Sequence, residues 1–233
     1  MEPLPGDPAF AIDVVIPCYN ASAYLAEAIE SVISQNLDGI RILFIDDGST
    51  DQSVPVARSF GSIVHIHSKV NGGIASARNS GIDLSTAPWL AFLDADDVWT
   101  PNSLEARFLA FIRNPNADLV YGQMEQFHSP EMNHVDRSRL PIDLSQSAAR
   151  FAGTLLARAK AFKRVGSFNC SFAIGEMIDW VARSESAGLV TEQLEKVVLR
   201  RRIHGNNTTL RHASDRRSYI RALKSALDQK RKL

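Results

Sequence analysis

Trp89-Leu90-Ala91-Phe92-Leu93-Asp94-Ala95-Asp96-Asp97 joins an apolar run directly to a knot of carboxylates. The apolar part, Trp89–Leu93, reads as a buried strand. Apolar runs ending in polar clusters occur twice upstream. Ile12–Ile16 is rich in β-branched residues and ends at Pro17-Cys18-Tyr19-Asn20. Ile40–Ile45 stops at Asp46-Asp47-Gly48-Ser49-Thr50-Asp51. Helical patterns lie between. Ala21–Gln35 puts Leu25, Ile29, Val32 and Ile33 on one face. Asp51–Phe60 is a weaker helix, limited by Pro55. Ser62–Ile66 reads as a strand and Gly73–Leu84 as a helix. Alternating strands and helices predict an α/β fold with a mostly parallel sheet covered on both faces. In such sheets ligands gather at the carboxyl ends of the strands. Three of these ends carry polar clusters.

Outward from there, Thr100-Pro101 reads as a helix start, a capping hydroxyl followed by proline at the first helical position. Leu104, Phe108, Phe111 and Ile112 form that helix's core face. Ala117–Gly122 is a fifth strand. Gln123–Ser147 reads as irregular chain or short meandering strands. Thr154–Arg158 is expected as a strand, Ala159–Val165 and Gly175–Ala187 as helices, and Gln193–Arg201 as a strand leading to His204-Gly205-Asn206-Asn207. Ser214–Lys230 reads as a terminal helix with Tyr219, Ile220, Leu223 and Leu227 as its apolar stripe. No Gly-, Ser- or Pro-rich linker divides the chain, so residues 1–122 and 123–233 read as two halves of one domain.

The 233 residues are 45% apolar and 22% charged, with zero formal net charge. That is the composition of an ordinary globular protein, and it does not point to nucleic acid as a partner. The charge is uneven: from Arg200 to Leu233 there are eleven Lys/Arg and two acids, Asp215 and Asp228. A solvated helix face accounts for such a tail, and so does an anionic surface nearby. Cys18 and Cys170 have no metal-binding spacing and read as free thiols in a reducing compartment. The first ten residues lack the pattern of a signal peptide, and no run is long enough to span a bilayer.

Crowded carboxylates at Asp94, Asp96 and Asp97 destabilise one another unless a cation sits there. Mg²⁺ or Mn²⁺ suits oxygen ligands, takes one or two carboxylates and completes its shell with water and phosphate oxygens. The same acids also fit an acidic turn near a helix N-terminus. Asp46–Asp51 suits hydrogen bonds to a base or ribose, or equally an Asp-Gly turn capped by Ser49 or Thr50. Asn71-Gly72-Gly73, ahead of a helix bearing Arg78, offers free backbone N–H groups and a cation to a phosphate.

Taken in order, Val14–Asn20, Ile45–Asp51, Asn71–Gly73 with Ala77-Arg78-Asn79-Ser80-Gly81, and Leu93–Asp97 resemble the family 2 glycosyltransferases. The resemblance is close over Asp13–Asn102 and looser through Val165–Phe168, Gly175-Glu176 and Arg202–Asn207. It implies the GT-A fold, a nucleoside-diphosphate sugar donor with UDP favoured, and inversion at the anomeric carbon. Residues 1–122 become the donor half and 123–233 the acceptor half. Pro17, Tyr19, Asn20 and Asp47 would line the base and ribose pocket. Gly73 and Arg78 would approach the phosphates. Asp94-Ala95-Asp96 corresponds to the metal-binding motif, with Asp96 touching Mn²⁺ or Mg²⁺ most directly and His204 as a further metal or phosphate contact.

The chain departs from the family at the general base, commonly supplied by a Glu-Asp pair at a helix start. Here Glu176 is followed by Met177. Glu176 is then the leading base, and Asp179, one turn on, the reserve. Trp180 is either a sugar platform or a core residue. The expected acceptor is a saccharide or lipid-linked saccharide of a cell-surface polysaccharide pathway, reached from the cytoplasmic face, with the basic terminal helix as a peripheral membrane contact. A sugar-nucleotide-binding scaffold that has lost catalysis is the alternative that Met177 permits. A nucleotidyltransferase would need a Gly-rich loop where Pro17–Asn20 stands.

Overall fold

The computed structural model describes residues 11–142, 148, 150–205 and 207, together with 220–222, 224, 225, 227 and 229. The first half follows the expected alternation: β1 (Ile12–Cys18), α1 (Leu25–Ile33), β2 (Ile40–Asp46), α2 (Ser53–Ser59), β3 (Val64–Ser68), α3 (Ile74–Leu84) and β4 (Trp89–Phe92). β1 pairs in parallel with both β2 and β4, and β2 with β3. The carboxyl ends of β1, β2 and β4 therefore open on one edge.

Alternation along each strand divides the core. Val14, Ile16, Ile42 and Phe44 face one cluster with Leu25, Ile29, Leu104 and Phe108 of the helices. Val15, Leu43 and Ile45 face a second cluster with Ala75, Ala77, Phe162 and Trp180. Period-two alternation in a strand buried on both faces produces this two-sided core.

Beyond β4 the chain adds β5 (Val98–Trp99), α4 (Ser103–Arg113), β6 (Leu119–His128), α5 (His134–Arg139), β7 (Leu155–Arg158), α6 (Ala159–Val165), α7 (Glu176–Ser186) and β8 (Thr191–Ile203), and its strands join in mixed orientation. The sheet order is β3-β2-β1-β4-β7-β6-β8-β5. β7 lies between β4 and β6 and runs antiparallel to both, while β8 runs parallel to β6.

Three expectations change. β6 is one strand running on to His128 rather than a meander, with 143–147 outside the described residues. The helix after Asp97 starts at Ser103, not Pro101, because Thr100 belongs to the sheet edge: its N–H donates to Val198 O at 3.1 Å and its hydroxyl to Val197 O at 2.7 Å. The described positions between 220 and 229 are helical, but the expected stripe does not form a core there. Ala222 is buried, whereas Ile220 and Leu227 are 61% and 58% exposed. Tyr219 and Leu223 lie outside the described residues.

Candidate active site

The loops after β1 and β2 are laced into one rim. Asn20, in the left-handed region at φ 53°, donates its N–H to Ser49 Oγ at 3.0 Å and accepts from Thr50 N at 2.8 Å. Asp46 Oδ1 accepts from Ser49 N at 2.8 Å. Tyr19 stands exposed on this rim, while Pro17 is buried in β1. Asp47, expected against base and ribose, holds the next loop. Its carboxylate accepts from Lys69 Nζ at 2.8 Å, from Gly72 N at 3.0 Å and from Gly73 N at 2.8 Å. Gly73 has φ 84° and ψ 170°, a region open essentially to glycine alone.

Arg78, in α3, is 4% exposed. Its Nη2 donates to Asp94 Oδ1 at 2.6 Å and its Nη1 to Glu176 Oε1. Burial disfavours its charge, but the Asp94 and Glu176 carboxylates outweigh burial and raise its pKa above the usual guanidinium value. The guanidinium expected at the phosphates thus bridges the acid after β4 and the acid at the start of α7. Gly81 lets α3 approach this closely: a Cβ there would lie 2.3 Å from Val15 Cγ1.

Asp96 and His204, 108 residues apart, meet with Oδ2 and Nε2 at 3.0 Å. The sheet edge brings them together. β5 begins just past Asp97 and pairs antiparallel with β8, which ends just before His204. Arg202 N continues the contact by donating to Asp97 Oδ1 at 2.9 Å. Asn207 Nδ2 donates to Asp96 Oδ2 at 3.3 Å, and its Oδ1 accepts from His204 N at 2.7 Å. Burial, then the neighbouring Asp96 and Asp94 charges, push the Asp97 carboxyl well above its ordinary value. Asp97 is a buried strut, not a candidate ligand.

Among the described residues no three His, Cys, Asp or Glu side chains converge on one point as a complete metal cage. Asp96, with its side chain 26% exposed, and His204 nevertheless fit a cation that takes few protein ligands and fills its shell from phosphate and water. Asp94 has Oδ1 committed to Arg78, and Ala95 is buried in the core.

At α7, Glu176 Oε1 is held by Arg78, and Oε2 has no hydrogen-bond partner among the described residues. Asp179 has both oxygens engaged, Oδ2 by Arg183 Nε at 2.8 Å and Oδ1 by Ser225 Oγ at 2.7 Å. Met177 packs in the core beside Trp180. Trp180 is fully buried, its ring stacked on Phe162 at 4.6 Å and its Nε1 donating to Gly166 O at 2.9 Å. It is a core residue and not a sugar platform.

Two contacts at the site escaped the sequence. Asn79 brackets residue 168, its Nδ2 donating to Phe168 O and its Oδ1 accepting from Phe168 N, both at 2.8 Å. Tyr24, Glu27 and Glu131 gather around Arg202 and His204. The Arg202–Asn207 stretch signalled its own end of that cluster, but nothing local marked the other.

Residues 13–174 match the model of the family described as Glycosyl transferase family 2. The chain belongs to this family. An uncharacterized glycosyltransferase of Rickettsia typhi is 28% identical over 211 residues, covering 85% of this chain and 65% of that protein. A PGL/p-HBAD biosynthesis glycosyltransferase of Mycobacterium tuberculosis is 29% identical over 203 residues, covering 82% and 75%. Among solved structures, S. aureus TarS superposes with a TM-score of 0.68 at 18% identity, over 83% of this chain and 37% of TarS. Its 1–349 fragment in complex with UDP-GlcNAc gives 0.68 at 16%, over 85% and 60%. These likenesses show the GT-A fold. The chain spans about two thirds of the Rickettsia relative and just over a third of TarS.

Proposed function

We propose that this chain is an inverting glycosyltransferase using a nucleoside-diphosphate sugar, UDP-sugar first, and a saccharide or lipid-linked saccharide acceptor of a cell-surface polysaccharide. The observation that carries the reading is the convergence of Asp96, His204 and Asn207 beside the Asp94–Arg78–Glu176 bridge. It lies at the strand ends where this fold class places its ligands. The UDP-GlcNAc complex of TarS supports UDP as the nucleotide.

Asp96 and His204 would hold Mn²⁺ or Mg²⁺, which when bound neutralises charge on a departing diphosphate. Glu176 Oε2 takes the proton of the acceptor hydroxyl as its oxygen attacks the anomeric carbon from the face opposite the leaving diphosphate. Arg78 fixes the carboxylate in place for that attack. Asp179 is too heavily bonded to compete. A cleft of about 470 Å³ beside Asp179, lined by Phe172, Arg221, Lys224 and Ser225 among others, suits the acceptor. Arg221 and Lys224, with exposed Ile220 and Leu227 on the same segment, support peripheral contact with an anionic membrane at its cytoplasmic face. Among the described residues no helix is long and apolar enough to cross a membrane.

Core burial of Met177 supports a second reading, a sugar-nucleotide-binding protein without turnover. Calorimetry with UDP-, GDP- and dTDP-sugars, each with Mn²⁺ and with chelator, tests both. Metal-dependent binding of one nucleotide is expected, and no binding of any would overturn the donor site. Binding followed by no transfer to any saccharide acceptor would favour the second reading.

A further inference from the structure

We propose that Tyr24 is a positioning residue whose ring orients His204 toward Asp96, and that Glu131 tethers the ring. The inference rests on the reading of Asp96 and His204 as cation-holding residues. Tyr24 lies just before α1, away from every motif described above, yet its ring centroid is 4.5 Å from that of His204 at an interplanar angle of 45°. Over Tyr24 sits the Arg202 guanidinium, 5.1 Å from the ring centroid. Arg202 is itself fixed: it stacks over Phe127 at 4.7 Å, pairs with Glu27 and donates its Nε to Asp96 O at 3.0 Å. The Tyr24 ring therefore contacts both the His204 ring and the arginine that grips the Asp96 backbone.

The hydroxyl end is anchored as well. Tyr24 Oη donates to Glu131 Oε1 at 2.5 Å, and Ser129 Oγ donates to the other Glu131 oxygen at 2.5 Å. These two donors, Ser129 first, draw the Glu131 carboxyl down to about 2. Burial, then the Glu131 bond, raises the Tyr24 phenol to about 12. A loose imidazole would spread its lone pair over many directions, and a braced one presents it at a single place. Partners that orient a metal-binding histidine are typically worth about 10–100-fold in metal affinity.

The test is Mn²⁺ binding followed by electron paramagnetic resonance, with and without UDP, on folded protein checked by circular dichroism. Tyr24→Leu removes the ring and should weaken Mn²⁺ by about tenfold or more. Tyr24→Phe keeps the ring and loses only the tether, as does Glu131→Ala. Both should weaken Mn²⁺ about threefold, on the order of the net worth of one hydrogen bond, and the double variant should be no worse than either. Asp96→Asn separates the two levels. If it abolishes Mn²⁺ binding while Tyr24→Leu binds as wild type, the bracing role is overturned and the cation site stands. If Asp96→Asn binds Mn²⁺ normally, both fall. Should Tyr24→Leu fail to fold, Glu131→Ala, on an exposed residue, decides: unchanged affinity overturns the tether and the proposal with it.

Discussion

At the scale of single residues, the structure separates carboxylates with an oxygen to spare from carboxylates already occupied. Glu176 has one carboxylate oxygen held and one without a partner, whereas Asp179 has two held. Glu176→Gln should therefore leave UDP affinity unchanged and cut turnover by about 10²-fold or more, the ordinary worth of a general base. Asp179→Asn should mainly lower the melting temperature. The reverse pattern in steady-state kinetics would transfer the base to Asp179. Asp13 shows the occupied extreme. It is buried at the start of β1 and accepts from Arg41, from Ser85 Oγ at 2.8 Å, and from the N–H groups of Thr86 and Ala87. Burial raises its pKa, but Arg41, Ser85 and the two N–H groups overcome burial and lower it on balance. A carboxyl depressed in the folded state stabilises fully above its unfolded value near ~3.9 and loses that contribution as pH falls through the folded value. Asp13→Asn should cost about 1–3 kcal/mol at neutral pH, since partly exposed Arg41 can turn to water and the buried N–H groups keep a weaker acceptor, and it should flatten the acid limb of the stability curve. An acid limb with wild-type steepness in that variant would remove Asp13 from the account. The sequence exposed Asp94, Asp96 and His204 because they follow apolar strands, a local signal. It could not expose the partners of Arg78 or Asp47, because contacts across 98 and 22 residues leave no mark on local spacing.

At the scale of elements, segments with an apolar run or helical spacing were legible, four-residue β4 and β7 among them, and the two-residue β5 was not. β1, β2, β4 and α3 lie where apolar runs and helical spacing place them, to within a residue or two. β5 has two residues, too few to show any period, so Thr100-Pro101 looked like a cap. Yet β5 is what draws His204 to Asp96. The loop into α3 makes a sharper demand. Gly73 adopts a backbone that a side chain resists, although a Cβ there would meet nothing within 4 Å. Gly73→Ala should cost about 1–3 kcal/mol through backbone strain alone, and by tilting the loop off Asp47 it should also weaken nucleotide binding. At Gly81 the obstacle is steric instead, since an added Cβ meets Val15. Gly81→Ala should therefore destabilise by about 1–3 kcal/mol through overpacking with UDP affinity preserved in the folded fraction. Chemical denaturation paired with UDP calorimetry distinguishes the two glycines. Equal losses of nucleotide affinity in both variants would refute the distinction.

At the scale of the whole molecule, one sheet carries both halves, and the second half adds its strands in mixed orientation. The alternation over the first half predicted a mostly parallel sheet, and β7 joins it antiparallel, between β4 and β6. Strand order is decided by which apolar faces fit together, and single-strand patterns do not encode that. The site is therefore assembled across a seam: Arg78 and Asn79 of α3 belong to the first half, Phe168 and Glu176 to the second. Arg78 supplies charge across this seam. Asn79 supplies geometry, with two reciprocal hydrogen bonds to the backbone of residue 168 that fix the segment leading into α7. Asn79→Ala removes both bonds, each worth about 1 kcal/mol net, without touching the strand ends after β1, β2 and β4. Donor affinity should stay at the wild-type value while transfer to the acceptor slows, because Glu176 loses the support of its approach segment. An asparagine that merely stabilised the fold would lower the melting temperature and leave the turnover of folded enzyme at saturating donor unchanged. Slowed turnover with unchanged UDP affinity would support Glu176 as the base proposed above and show that it is positioned from α3, through the second residue of the Arg78-Asn79 pair.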